Sequence, residues 1–194
     1  MAQTALKPWT LDDFFAWQER QADRHELVDG QPTAMAGTSN RHDDIVVNLL
    51  AELRNQLRGK PCRPFTGDGA VETYPGQIRR PDAGVDYGRR DPGGYVAAEV
   101  KLVGEVLSPS TRDFDTFGKI AEYKSVESLD HILIVEPNAA EIVLWSRGED
   151  RAWADRTIAG LSERCEMPSL GIVLRLADLY DGVDFPPTVR FTSS

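Results

Sequence analysis

Apolar positions recur along this chain at two spacings, a helical one in the first third and an extended one through the middle. Leu11, Phe14, Phe15 and Trp17 form a stripe at helical spacing, and Thr10 ahead of Leu11-Asp12-Asp13 predicts its N-cap. The hydroxyl can accept from an orphan amide, and acids are favoured in a first turn. His25-Glu26-Leu27-Val28 and Gln31 to Met35 are short extended segments around Asp29-Gly30, a pair that tolerates the positive φ angles of a type I′ hairpin turn. Ser39 predicts the cap of a second helix running to about Arg58, with Ile45, Leu49, Leu53 and Leu57 on one side and Val46 and Leu50 beside them.

Glycines and prolines then punctuate residues 59–77, where Val71-Glu72-Thr73-Tyr74 is the most strand-like piece. Arg79 to Tyr87 predicts one strand with Asp82, Gly84 and Asp86 on a common face, followed by a polar loop at 89–94. Ala97 to Leu107 is nearly apolar after Lys101, as expected of a strand buried on both faces. The break at Ser108-Pro109-Ser110 precedes a helix capped by Thr111 or Asp113 and reaching about Ser125, with Phe117, Ile120, Ala121 and Lys124 expected on its inner side. His131 to Val135 predicts a buried strand, Glu141 to Arg147 its antiparallel companion, and Ala152 to Ile158 an edge strand. Ile172-Val173-Leu174 predicts a last short strand before a helical turn at Leu176 to Tyr180, and the chain is expected to fray from Phe185. This order predicts a single domain over 1–194 with its core at about 10–180. The fold class is α/β (α+β): a mixed β-sheet flanked by helices, with an N-terminal helix and β-hairpin.

Composition narrows the class. With 194 residues, 41% hydrophobic and 27% charged, the chain is that of a soluble globular domain able to bury its own core. Met1 to Lys7 lacks the apolar centre of a signal peptide, and no stretch nears the roughly 20 apolar residues that a bilayer requires. A cytoplasmic protein with no membrane contact is expected. Cys62 and Cys165 lack any paired spacing, so neither a zinc site nor a disulfide framework is indicated and reduced thiols are expected. The net charge of −9 counts against a protein that grips phosphates. Weight therefore falls on local basic clusters at Arg79-Arg80, Arg89-Arg90 and around Lys119 and Lys124.

The chemistry concentrates between Arg79 and Lys119. Asp82 after Pro81, Glu105 near the end of an apolar strand, and Lys119 beyond the Ser-Pro break are two acids and a lysine. Acids at neighbouring strand ends can hold a hard divalent cation, and a lysine can orient water or offset charge developing on a phosphate. Glu99-Val100-Lys101 competes with Glu105 for the same role. Glu105 is preferred because it lies at the strand's end, where a sheet opens into a cleft, and Lys101 is expected to be solvated near the start. For His42, in the first turn of the second helix, a surface or capping role outweighs an approach to the site.

Glu26-Leu27-Val28-Asp29-Gly30, Arg80-Pro81-Asp82, Glu105-Val106-Leu107-Ser108-Pro109-Ser110-Thr111, Lys119 with Tyr123, and Ile134-Val135-Glu136-Pro137 together resemble the bacterial Uma-two family, restriction-endonuclease-like proteins of the PD-(D/E)XK nuclease superfamily. The resemblance spans about Thr10 to Tyr180 and is carried above all by the Glu-Val-Leu-Ser-Pro-Ser-Thr piece. It implies a restriction-endonuclease-like core, often homodimeric. It further implies Asp82 and Glu105 as metal-binding acids, the Val106 carbonyl as a further ligand, Glu26 as an acid supplied by the hairpin, and Lys119 as a lysine on the helix after the strand. The expected function is a metal-dependent endonuclease using Mg2+ (or Mn2+) to hydrolyse phosphodiester bonds of nucleic acid, DNA before RNA. Two alternatives stand beside it: a catalytically inactive nuclease-fold protein that binds nucleic acid or a protein partner, and a metal-dependent hydrolase of a small phosphate ester.

Overall fold

A hairpin and a long helix, both set by local sequence, frame the sheet that carries the candidate site. The computed structural model describes residues 7–35, 37–108 and 115–186. Helix α1 (Leu11–Gln18) is capped by Thr10, whose hydroxyl accepts from the Asp13 amide. Strands β1 (His25–Val28) and β2 (Gln31–Ala34) pair antiparallel around Asp29 and Gly30, at φ 49° and 72°. Gln18 ties α1 to β1 by accepting from the His25 amide and donating to the Asp23 carbonyl, both at 2.8 Å. Helix α2 (Asn40–Gln56) starts at Ser39, which accepts from the His42 amide, and it buries Ile45, Leu49 and Leu53 completely.

The expected strand from Arg79 to Tyr87 is instead two strands in different sheets. β4 (Val71–Tyr74) and β5 (Gln77–Arg79) join β1 and β2 in a four-stranded sheet of order β2-β1-β5-β4. β6 (Ala83–Tyr87) belongs to a six-stranded sheet with β3 (Cys62–Thr66). Pro81 has no N–H to give a ladder, so the chain leaves one sheet at Arg79 and enters the other at Ala83. Asp82 stands at that junction. Gly84 serves the second sheet by having no side chain: a Cβ there would lie 2.1 Å from the Phe65 ring.

The remaining strands of the larger sheet are β7 (Val100–Val106), β8 (His131–Glu136), β9 (Glu141–Arg147) and β10 (Trp153–Ala159), in the order β10-β9-β8-β7-β6-β3. Only β7 and β8 run parallel within it, joined by the crossover containing α3 (Asp115–Ser125). The caps expected at Thr111 or Asp113 lie outside the described residues. Both faces of the sheet are covered, as the apolar runs of β7 and β8 predict. Leu102, Val106, Leu133 and Val135 pack with the α2 stripe on one side. Val103, Ile132 and Ile134 pack with Ile120 and Tyr123 of α3 on the other.

The inner face of α3 differs from expectation. Phe117 is 74% exposed and Ala121 also faces outward, whereas Tyr123 is fully buried. Near the C-terminus, β11 (Arg164–Met167) pairs with β12 (Ile172–Arg175), a hairpin of which only the second strand was expected, and α4 (Leu176–Leu179) closes the α2 side. Phe185, expected to begin a frayed tail, packs against Tyr180 with ring centres 5.3 Å apart. Cys62 is half-buried and Cys165 buried, both as free thiols. Among the described residues no helix is long and apolar enough to cross a membrane.

Candidate metal and active site

Asp82, Glu105 and Lys119, with Glu26 of the hairpin and Val106, line one cavity of about 310 Å³ between the sheets and α3. Asp82, outside both ladders, is held by two donors to Oδ2: the Val106 amide at 2.8 Å and His42 Nε2 at 3.1 Å. Glu105, the penultimate residue of β7, accepts from the Tyr123 hydroxyl at 2.6 Å. Lys119 and Tyr123 are four residues apart on α3 and therefore present to the same side. Lys119 Nζ lies 3.3 Å from Glu26 Oε1 and 3.8 Å from Glu105 Oε1.

Glu26 is 6% exposed and fully engaged. Besides Lys119 it accepts from Arg79 Nη1 at 2.9 Å and from the Arg80 amide at 3.0 Å. Arg79 in turn grips Glu122 through two bonds of 2.7 and 2.6 Å, the fork geometry that makes guanidinium–carboxylate pairs strong. A chain of alternating charge thus runs Glu122, Arg79, Glu26, Lys119, Glu105.

Electrostatics follow from this burial. Glu105 is pushed up to about 7, chiefly by burial; the Lys119 charge and the Tyr123 hydrogen bond pull it down, while the Asp82 and Glu26 charges push it up. Burial alone would lower Lys119, but Glu105 and Glu26 raise it above its ordinary value, so it remains an ammonium. Tyr123 is held well above its ordinary value by burial and by the Glu105 and Glu26 charges, so it stays a phenol and a donor. In His42 burial again opposes the charged form, yet the bond to Asp82, the Asp82 and Glu105 charges and the nearby Val106 backbone together raise it.

These residues fit a hard divalent cation. Two carboxylates open on one cavity, one unsettling the ionisation of the other, and a cation between them would relieve that repulsion. Among the described residues no three His, Cys, Asp or Glu side chains converge on one point. Two carboxylates on one cavity leave the rest of a hard cation's coordination to water and backbone oxygen.

Glu99 and Lys101, the competing Glu-x-Lys pair, are not at this cavity. They bond each other at 2.9 Å and are both partly exposed. A bulge opposite Val85 and Asp86 leaves Lys101 without a counterpart on β6. Two sequence expectations need correction. His42 is no surface group, being 6% exposed against Asp82. Arg79-Arg80 is no basic surface for phosphates, since both side chains are buried, Arg79 in ion pairs and Arg80 on the carbonyls of His25 and Asp68. Arg79 and Glu122 were missed as site residues, and nothing in their local sequence marks them. His42 carried one signal, its place in the first turn of a helix that must cross the sheet's end.

A structure described as a "putative nuclease belonging to DUF820" from Anabaena variabilis superposes with a TM-score of 0.71, covering 91% of this chain and 99% of that one at 15% identity, a likeness of fold. Two Synechocystis proteins named as uncharacterised align over nearly full length. The protein slr1290 is 32% identical over 90% of this chain and 92% of its own, and sll1609 is 22% identical over 89% and 99%. The profile of the Uma2 family, described as "Putative restriction endonuclease", matches residues 11–177. With the profile and a 32% identical relative each spanning most of its length, this chain belongs to the Uma2 family.

Proposed function

We propose that the protein is a metal-dependent endonuclease that hydrolyses phosphodiester bonds of nucleic acid, with DNA the expected substrate. One observation carries the reading: Asp82, from the junction of β5 and β6, and Glu105, from β7, open on the same cavity as the Lys119 ammonium. Asp82, Glu105 and the Val106 carbonyl would hold Mg2+ or Mn2+. When bound, such an ion would polarise a phosphate oxygen and make a coordinated water more acidic.

The chain's own residues do the rest. Lys119, kept cationic by two carboxylates, stabilises the additional negative charge that the phosphate bears as water attacks phosphorus and the sugar oxygen leaves. Tyr123 fixes the rotamer of Glu105. Glu26, saturated by Arg79, Arg80 and Lys119, holds the lysine in place. The family likeness extends the proposal to a homodimer, which would offer one site to each strand of a duplex; sedimentation equilibrium tests that part.

Plasmid nicking in Mg2+ or Mn2+ tests the activity. Asp82→Ala and Glu105→Ala should each abolish cleavage while circular dichroism stays that of the wild type. Equal cleavage by all three proteins would end the reading. Calorimetric metal binding without any cleavage would favour a non-catalytic binding protein.

A further inference from the structure

We infer that His42 is a positioning residue that sets Asp82 for the divalent cation, an inference that rests on the metal-dependent reading above. Arg80-Pro81-Asp82 lies between β5 and β6 and in neither ladder, so no strand dictates where the Asp82 side chain points. Its direction is set by hydrogen bonds to Oδ2, one from the Val106 amide and one from His42.

His42 is itself placed with little freedom. Ser39 caps α2 and accepts the His42 amide at 3.3 Å, and the α2 stripe from Ile45 to Leu57 anchors the helix against the larger sheet. The imidazole therefore reaches the end of β7 from the face opposite α3. There it touches Asp82, one of the three groups proposed to hold the metal. The other buried histidine offers a contrast. His131 bonds the hydroxyls of Ser146 and Ser169, which satisfy a ring without directing a carboxylate.

Because no three such side chains converge on a point among the described residues, His42 acts through Asp82 and not as a third ligand. A bond to one carboxylate oxygen fixes which oxygen is presented to a cation. Outer contacts of this kind typically carry roughly 10- to 100-fold in metal affinity.

The test is Mn2+ titration calorimetry on the full chain, with melting curves run without metal, for wild type, His42→Phe, His42→Asn, His42→Gln and Asp82→Ala. Phenylalanine keeps volume without a donor, asparagine is polar but too short, and the glutamine amide nitrogen can occupy the place of Nε2. Kd should rise roughly 10-fold or more in His42→Phe and His42→Asn, and His42→Gln should return close to wild type. The same pattern should appear in the metal concentration needed for nicking. Should phenylalanine prevent folding, the asparagine and glutamine pair decides. Wild-type affinity in His42→Asn, or glutamine as weak as asparagine, would overturn the inference. Asp82→Ala separates the two levels: undiminished Mn2+ binding there removes the metal site itself, whereas lost binding there with intact binding in His42→Asn removes only the role of His42.

Discussion

Glu105 is where burial and charge compete most directly, and its proton makes the clearest residue-scale prediction. Its folded-state value of about 7 lies above its ordinary 4.5. Without metal the folded protein keeps a proton that the unfolded chain has released, so this group's contribution to stability declines as pH rises from about 4.5 through about 7. A cation favours the ionised form, so metal affinity should climb over the same window and level off above it. Titration calorimetry at stepped pH reads this directly. Tyr123→Phe removes a bond that favours ionised Glu105, and the midpoint of metal affinity should therefore move to higher pH. Lys119→Met leaves the proposed cation ligands but removes the ammonium. We expect cleavage to fall by about 10²-fold, the scale of losing one preorganised group that stabilises transition-state charge, with folding retained.

The elements fall into those whose sequence states their packing and those whose sequence does not. The α2 stripe of Ile45, Leu49, Leu53 and Leu57 is legible because a period of 3.6 with uniformly apolar residues has one solution. Leu49 is fully buried, and Leu49→Ala should cost about 2–5 kcal/mol of unfolding free energy in urea denaturation. The inner face of α3 is illegible by the same rule. It is turned by about 100°, one residue's step, from the side that Phe117, Ile120, Ala121 and Lys124 suggest. Lys119 and Tyr123 are drawn inward by Glu26 and Glu105, and an apolar count cannot register that attraction. The strand over Arg79 to Tyr87 failed for a different reason. Alternation shows that residues are extended, but not that Pro81 divides them between two sheets.

Across the whole molecule, Arg79 is the residue that couples parts. From β5 of the smaller sheet it reaches Glu26 on β1 and Glu122 on α3, so the hairpin, the smaller sheet and the crossover helix meet on one guanidinium. Arg79→Met would leave two acids without their buried partner. It should destabilise the fold by about 3–5 kcal/mol, read as a lower denaturation midpoint, and should loosen Lys119 along with Glu26. The overall charge of −9 looks different once residues are placed. Two of the basic residues that sequence alone would offer to phosphates are spent inside, while Arg89 stays exposed.

The sequence by itself determined the N-terminal helix and its cap, the Asp29-Gly30 hairpin, the α2 stripe, the doubly buried β7 and β8, and the choice of Asp82, Glu105 and Lys119 as residues of interest. Each of these depends on neighbours within a few positions or on a compact motif. Only the tertiary structure decided that His42 meets Asp82, that Arg79 joins Glu26 to Glu122, and that Glu26 is saturated. Such contacts link residues at least 40 positions apart. A buried charge is tolerated only where a partner arrives to meet it, and that arrival is settled by how two sheets join at Pro81, which no local pattern encodes.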